Sequence, residues 1–521
     1  MSQFCQILAL LFLSTYACDG YRILILFTSP GKSHRILAQG YVRHLTAAGH
    51  ELTLVTPFPS NSTNPKLREI DVSENLDTIG GNISILFDII RNMYLTIAYY
   101  GKVTRMSLEN KNLQELLNEP SEHFDVVIAE WLFDDIYSGL GAVFNCPFIW
   151  ASTFDPHWMI LRLIDQPVNP AYVANCKSLN VPPFTFLQRL EELWAFIQLS
   201  YANFFKLPLN FFYSYFNPIV EEAYKKIYSP ILAKRGRVLP PYEEVLYNAS
   251  LVLGDSHVAL GQATRLPHSY KTVGGYHVDT EVQPLPQDLQ MIMDNAKHGV
   301  IYFSMGSKLK SADLPDVLKK RLLKMFGLLK YTVLWKFEEI LSGTPENVHI
   351  LKWALQQSIL AHPNCILFIT HGGLLSTTET VHFGKPIIAI PVFGDQYINS
   401  KSAVHKGFAK MIKLSYNLDE DLEEAIDEVT SNPRYSEIAK ELSLIYHDRP
   451  VPPGKELVHW VEHVVKTRGA PHLRSPALLM PWYQKAYVDV IGIITACICF
   501  ICFIVKRLYY KLRIDFKKKT K

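Results

Sequence analysis

The sequence predicts an α/β protein with two doubly wound domains, and three observations carry that prediction. Near the start, an apolar run at 21–27 (YRILILF), a helix-forming stretch at 33–48 and a second short run at 51–55 form a β-α-β unit, which implies a parallel sheet. Four more short apolar runs, at 300–304, 332–335, 366–369 and 387–390, have the length of buried strands. A chain of 521 residues is too long for one ordinary core and calls for two domains plus extra segments.

Composition narrows the class. Apolar residues make up 48% and charged residues 19%, which excludes a disordered chain and suits a globular protein with membrane segments. The net charge of +3 is small, its positive part crowds into the last residues, and nothing in it points to nucleic acid. Residues 1–20 read as a secretory signal peptide, with an apolar core at 7–13 and small residues near Ala17. An uninterrupted apolar run at 490–505, extendable back to Ala486, approaches the roughly 20 residues a bilayer needs. Lys506, Arg507, Lys511, Arg513 and Lys517 to Lys519 follow, so the tail is expected in the cytosol and the body in the lumen. The final Lys518-Lys519-Thr520-Lys521 reads as a dilysine retrieval signal for the endoplasmic reticulum membrane or as an ordinary basic flank. Sequons at Asn61, Asn82 and Asn248 are candidate glycosylation sites, and the cysteines form neither a metal spacing nor a disulfide framework.

Within the first half, Ser33 is the expected N-cap of the first helix and Gly49 its stop. The Pro30-Gly31-Lys32-Ser33 turn is not a P-loop, because Leu26 stands where the earlier glycine is required. His34 falls on the first helical turn beyond a strand end, as a structural histidine or a functional one. A strand at 124–129 leads to Glu130, with Asp134 and Asp135 just beyond; these acids either partner His34 or cap the next helix. Aromatic residues crowd 184–216, broken by Lys206-Leu207-Pro208 into two helical pieces, as an apolar pocket touching the membrane surface or as core. Short runs at 251–253 and 272–273 close this half, and 278–288, with Pro284 and Pro286, reads as a linker.

The chemistry concentrates at 353–400. Thr370-His371-Gly372-Gly373 follows a strand and opens a helix bearing Ser376 and Glu379, while Asp395-Gln396 follows the next strand. Glycines admit a ligand to the backbone, and a helix N-terminus offers an anion site to which His371 and Ser376 add donors. Glu379, three residues beyond Ser376 on one helix face, suits a ribose diol, and Asp395 with Gln396 suits neighbouring sugar hydroxyls. Trp353 offers a flat face to a base, with Gln356 close behind. Ligands of open α/β sheets sit at the carboxyl ends of strands, so these residues are expected to converge on one crevice.

In this order the residues resemble the UDP-glycosyltransferase signature, W-x-P-Q, H-G-G-x-x-S-x-x-E and P-x-x-x-D-Q, except that Leu355 replaces the proline. The 28–34 context (TSPGKSH) resembles insect members in particular, and Asp448-Arg449-Pro450 and Pro471-His472-Leu473 match the family's C-terminal region. The resemblance implies the GT-B fold: two doubly wound Rossmann-like domains facing a cleft, plus a C-terminal transmembrane helix. It divides the chain into an acceptor-binding domain at 21–277, a UDP-sugar-binding domain at 289–445, a segment at 446–484 crossing back to the first domain, a span at 485–505 and a basic tail. It makes His34 the general base, with Glu130 in place of the usual aspartate and Asp134 or Asp135 in reserve. It adds Gly306 and Ser307 to the pyrophosphate site, and Lys336 where the family often has arginine. The implied activity is hexosyl transfer, from UDP-glucose rather than UDP-glucuronate, to a small lipophilic acceptor with inversion. A rival is a membrane-anchored binding protein that keeps the fold without turnover. No cofactor is expected and no metal, since Asp419-Glu420-Asp421 fits a helix start. A homo-oligomer is left open.

Overall fold

A computed structural model describes residues 20–519 except 61, 80–92, 165–168, 175–177, 179, 201–210, 262, 280, 307–313, 340, 393 and 486. Seven strands form the first sheet: β1 (Arg22–Leu26), β2 (Glu51–Thr56), β3 (Leu67–Asp71), β4 (Val126–Trp131), β5 (Phe148–Ser152), β6 (Leu251–Gly254) and β7 (Tyr270–Thr272). Six form the second: β8 (Val300–Ser304), β9 (Thr332–Lys336), β10 (Val348–Leu351), β11 (Cys365–Thr370), β12 (Ile387–Ala389) and β13 (Ala409–Met411). Their orders are β3-β2-β1-β4-β5-β6-β7 and β10-β9-β8-β11-β12-β13. The pairings are parallel throughout.

Both sheets are buried on both faces, which is why their strands are continuous apolar runs. Leu24 and Leu26 of β1 enter one core, while Ile23, Ile25 and Phe27 enter the core on the opposite face. In β8, Ile301 and Phe303 alternate in the same way with Val300 and Tyr302. Each order reverses beside its first strand, between β1 and β4 and between β8 and β11, and a crevice opens at such a switch point.

Several elements differ from expectation. The first helix is Lys32–Ala47, and its N-cap is Gly31 in an extended conformation, so Ser33 lies inside the helix rather than capping it. Strand β4 runs two residues further than expected, which puts Glu130 within the strand. Strands β3, β5, β10 and β13 were not anticipated. Of the aromatic stretch, Phe186–Ser200 is a helix with Phe186, Leu187, Leu190, Leu193, Trp194 and Ile197 exposed, so it is not ordinary core and presents an apolar face at the surface. The second piece is the 24-residue helix Phe211–Lys234, prolonged because Tyr224, Ile227, Tyr228 and Ile231 recur at helical spacing and are buried. The break at 206–208 lies outside the described residues.

Two late helices complete the chain. Helix Pro453–Lys466 leaves the second domain and buries Leu457, Val461 and Val464 in the core with Ile23 and Ile25 of β1. Helix Val488–Lys519 contains 25 residues, Val488–Leu512, long and apolar enough to cross a membrane.

Candidate active site

The carboxyl ends of the two sheets face each other across a cavity of about 500 Å³. Ser33 and His34 line it from the first domain; Gly306, Lys336, Trp353, Gln356, His371, Gly373, Ser376, Glu379, Asp395 and Gln396 line it from the second.

His34 is positioned by the turn after β1, and its N–H bonds the Gly31 carbonyl at 3.0 Å. Strand β4 lies beside β1 with Leu26 level with Ala129, so Glu130 stands one step past the end of β1. His34 Nδ1 bonds Glu130 Oε1. A carboxylate only accepts, so the ring proton sits on Nδ1 and Nε2 is left as a lone pair for the cavity. Glu130 is buried, and its Oε2 has no partner among the described residues. The two reserve acids are engaged elsewhere. Asp134 accepts from the Ile136 N–H at 2.9 Å, and burial pushes its carboxyl up to about 6. Asp135 accepts from Trp131 Nε1 and Arg162 Nη2, both at 2.6 Å.

On the other side, the His371 ring is held between two glycines. A Cβ on Gly306 would stand 2.6 Å from His371 Cε1, and one on Gly373 2.6 Å from Nε2. Gly306 also has φ +82°, which favours glycine. Gly372 does a different job from the one expected: it does not line the cavity, and a Cβ there would stand 2.2 Å from Ser400 Oγ, so it lets helix Gln396–Lys406 approach. Burial, aided by Lys336, pulls His371 down to about 4, so its ring is neutral and carries one N–H, in keeping with the donor role expected of it. The nearby charge is Lys336, whose Nζ reaches Gly306 O and Glu338 Oε1, both at 2.9 Å. Ser307 lies outside the described residues.

Trp353 is 58% exposed, with Lys32 Nζ at 5.2 Å and Lys336 Nζ at 5.9 Å from its ring centroid. Leu355 has φ −74°, a value proline also takes, so the backbone here would accept the family's proline. Gln356 Nε2 donates to Ser376 Oγ at 3.1 Å and to Glu379 Oε2 at 2.6 Å, which ties three of the expected residues together. Gln357 Nε2 adds a bond to Glu379 Oε1 at 3.1 Å. Burial pushes Glu379 up to about 7, against both amide bonds. Asn399 Nδ2 holds Asp395 Oδ2 at 2.9 Å, and Gln396 Oε1 accepts the Val392 N–H at 2.9 Å.

Sequence reasoning missed Gln357 and His277 on the cavity, and its aromatic wall of Tyr100, Phe133 and Phe154. Phe133 is a non-glycine residue at φ 58°, a strained conformation of the kind found at functional sites, and its ring lies 5.6 Å from Phe154 and 6.0 Å from Tyr100. No motif announces it. Among the described residues no group of three or more His, Cys, Asp or Glu could hold a metal. Asn248 is exposed and its Oδ1 accepts from Arg474 at 2.8 Å, while Asn61 and Asn82 fall outside the described residues.

Comparison with known proteins agrees with this geometry. The model of the family "UDP-glucoronosyl and UDP-glucosyl transferase" matches residues 24–521. UDP-glucosyltransferase 2 of Dactylopius coccus is 33% identical over 96% of this chain and 95% of its own length. UDP-glucuronosyltransferase 2B15 of Rattus norvegicus is 28% identical over 94% and 93%. The calicheamicin glycosyltransferase CalG4 superimposes with a TM-score of 0.57 at 16% identity, covering 87% of this chain and all of its own, and so shares the fold. Two parallel doubly wound sheets about one cleft, with a donor cluster facing a histidine, thus carry a matching sequence over nearly their whole length: the chain belongs to the UDP-glycosyltransferase family, with the GT-B fold.

Proposed function

We propose that the enzyme moves glucose from UDP-glucose to a hydroxyl of a small lipophilic acceptor, with inversion and with His34 as the general base. The observation that carries this reading is the His34–Glu130 pair, which faces the Gly306, His371 and Gln396 cluster across one cavity. His34 Nε2 takes the acceptor proton as the oxygen bonds to the anomeric carbon, and Glu130 offsets the imidazolium that forms. The bond from that carbon to UDP breaks on the opposite face, so an α-linked donor gives a β-glycoside. Lys336, the His371 N–H and the amides at the start of helix Leu374–His382 meet the charge on departing UDP, and Ser307 is proposed beside them. No metal or cofactor takes part in this scheme.

Tyr100, Phe133 and Phe154 support an apolar acceptor. The glucosyltransferase name of an insect relative supports glucose over glucuronate. The apolar helix and the basic tail behind it support a single-pass anchor in the endoplasmic reticulum membrane, with the body luminal. Membranes bearing the enzyme, given a phenol with UDP-glucose or UDP-glucuronate, are expected to release UDP from the glucose donor. His34→Ala is expected to lower turnover by on the order of 10² to 10⁴ while UDP affinity holds. Surviving turnover in that variant assigns the base elsewhere.

A further inference from the structure

His277 closes the Gly274-Gly275-Tyr276-His277 turn where the chain leaves the first domain. The residue is 2% exposed, and neither ring nitrogen has a hydrogen-bond partner among the described residues. It stands between two buried carboxyls from different domains: Nδ1 is 3.9 Å from Asp255 Oδ1, and Nε2 is 3.8 Å from Glu379 Oε1. Asp255 follows β6 and accepts the Gly275 N–H at 3.2 Å. His277 and Glu379 both line the cavity.

Burial pulls His277 down to about 3, with Arg43 and His382 acting in the same direction; the Leu375 backbone opposes weakly, outside hydrogen-bond geometry. The ring is therefore neutral. Burial pushes Asp255 up to about 7, which Asp155 reinforces and the Gly275 N–H and Arg449 oppose. Glu379 is likewise raised to about 7.

A neutral imidazole carries one N–H and one lone pair. Between two carboxyls it satisfies both only when one is a carboxylate and the other an acid. Two arrangements meet that condition. In one, Asp255 keeps a proton and donates it to Nδ1, while Nε2–H donates to an ionised Glu379. In the other, the protons sit in mirror image. They interconvert when Glu379 gives its proton to Nε2 as the Nδ1 proton passes to Asp255, with charge conserved. Only an ionised Glu379 offers both oxygens as acceptors to a diol.

We propose that His277 is a positioning residue of the donor site: its Nε2–H, backed by the acid form of Asp255 at Nδ1, holds Glu379 as the carboxylate that accepts the ribose hydroxyls. This rests on Glu379 being the diol acceptor. The two gaps exceed a hydrogen bond by about 0.8–0.9 Å, and because the ring lies between the two carboxyls, each carboxyl must move toward it to close its own gap.

The test uses the full chain and two probes, UDP and 2′-deoxy-UDP, with Glu379→Ala as reference. The wild type is expected to prefer UDP by on the order of tenfold or more, since a site built around a hydroxyl rejects the analogue lacking it. His277→Gln, whose amide reaches the Nε2 position, is expected to keep most of that preference. His277→Asn, whose amide reaches only the Nδ1 position, is expected to lose it, raising KM for the UDP-sugar more than it lowers kcat. His277→Asn combined with Glu379→Ala should lose no more preference than Glu379→Ala alone. Equal behaviour of the Asn and Gln variants, or full preference in His277→Asn when Glu379→Ala has lost it, overturns the role of His277 alone. Full preference in Glu379→Ala overturns the diol assignment and the proposal with it.

Discussion

Glu130→Gln keeps the length and shape of the side chain and removes its charge. The carboxylate is buried, bonds His34 Nδ1 through Oε1, and has no partner for Oε2, so it faces the imidazole with little competition. As His34 takes the acceptor proton, a cation forms roughly 4 Å from that charge, and at an effective dielectric of about 20 the attraction is ~4 kcal/mol. Glutamine returns about 1 kcal/mol as a neutral acceptor. The remaining ~3 kcal/mol corresponds to a fall in kcat of on the order of 10²-fold. Turnover at saturating UDP-glucose and phenol, with UDP affinity and Tm measured alongside, reads the effect. Turnover within threefold of wild type, or a loss confined to donor KM, would refute the pairing of Glu130 with His34 as the source of catalysis.

Gly306→Ala should weaken UDP binding by tenfold or more with acceptor KM unchanged, because φ +82° costs a side chain roughly 1–2 kcal/mol and the new methyl meets the His371 ring. Leu355→Pro should raise stability by about 0.4–1 kcal/mol in thermal or urea unfolding without altering donor KM, since φ is already −74°. Glu379→Gln tests the sign of a linkage. The carboxyl titrates near 7 in the fold and in the ordinary range near 4.5 when unfolded, so below about 4 both states are protonated and the group costs nothing. As pH rises through 4.5 the unfolded chain ionises first, and the cost grows until about 7. The Tm of Glu379→Gln relative to wild type should therefore climb between pH 4 and pH 8, and a flat difference contradicts the raised pKa.

Strands at the centre of each sheet were legible because burial on both faces makes them apolar from end to end. Strand β8 was located at 300–304 as found, and β11 within one residue at each end. Edge strands hide for the opposite reason. Strand β3 (LREID) lies at the sheet margin and carries three charged residues, and β13 (AKM) has three residues. Strand β5 (FIWAS) is central and fully buried, but five residues with two aromatics do not distinguish a strand from a core helix segment. The convergence of Trp353, Gln356, His371, Ser376, Glu379, Asp395 and Gln396 on one cavity was readable because their spacing along one stretch reflects two successive strand ends. The contact of His34 with Glu130, 96 positions apart, was one of two readings the sequence offered, and the strand order that sets β4 beside β1 produces it. His277 left one trace, a Gly-Gly pair before a histidine just past a strand, much as Gly372 and Gly373 sit just past β11.

The helix Pro453–Lys466 has a mechanical consequence. It and Ala470 are stitched into the N-terminal sheet, and Arg474 grips Asn248 of that half, so the apolar helix beginning at Val488 hangs from the N-terminal half. With Val488–Leu512 long and apolar enough to cross a membrane, the load of that segment falls on the N-terminal sheet and not on the sheet that carries His371 and Asp395.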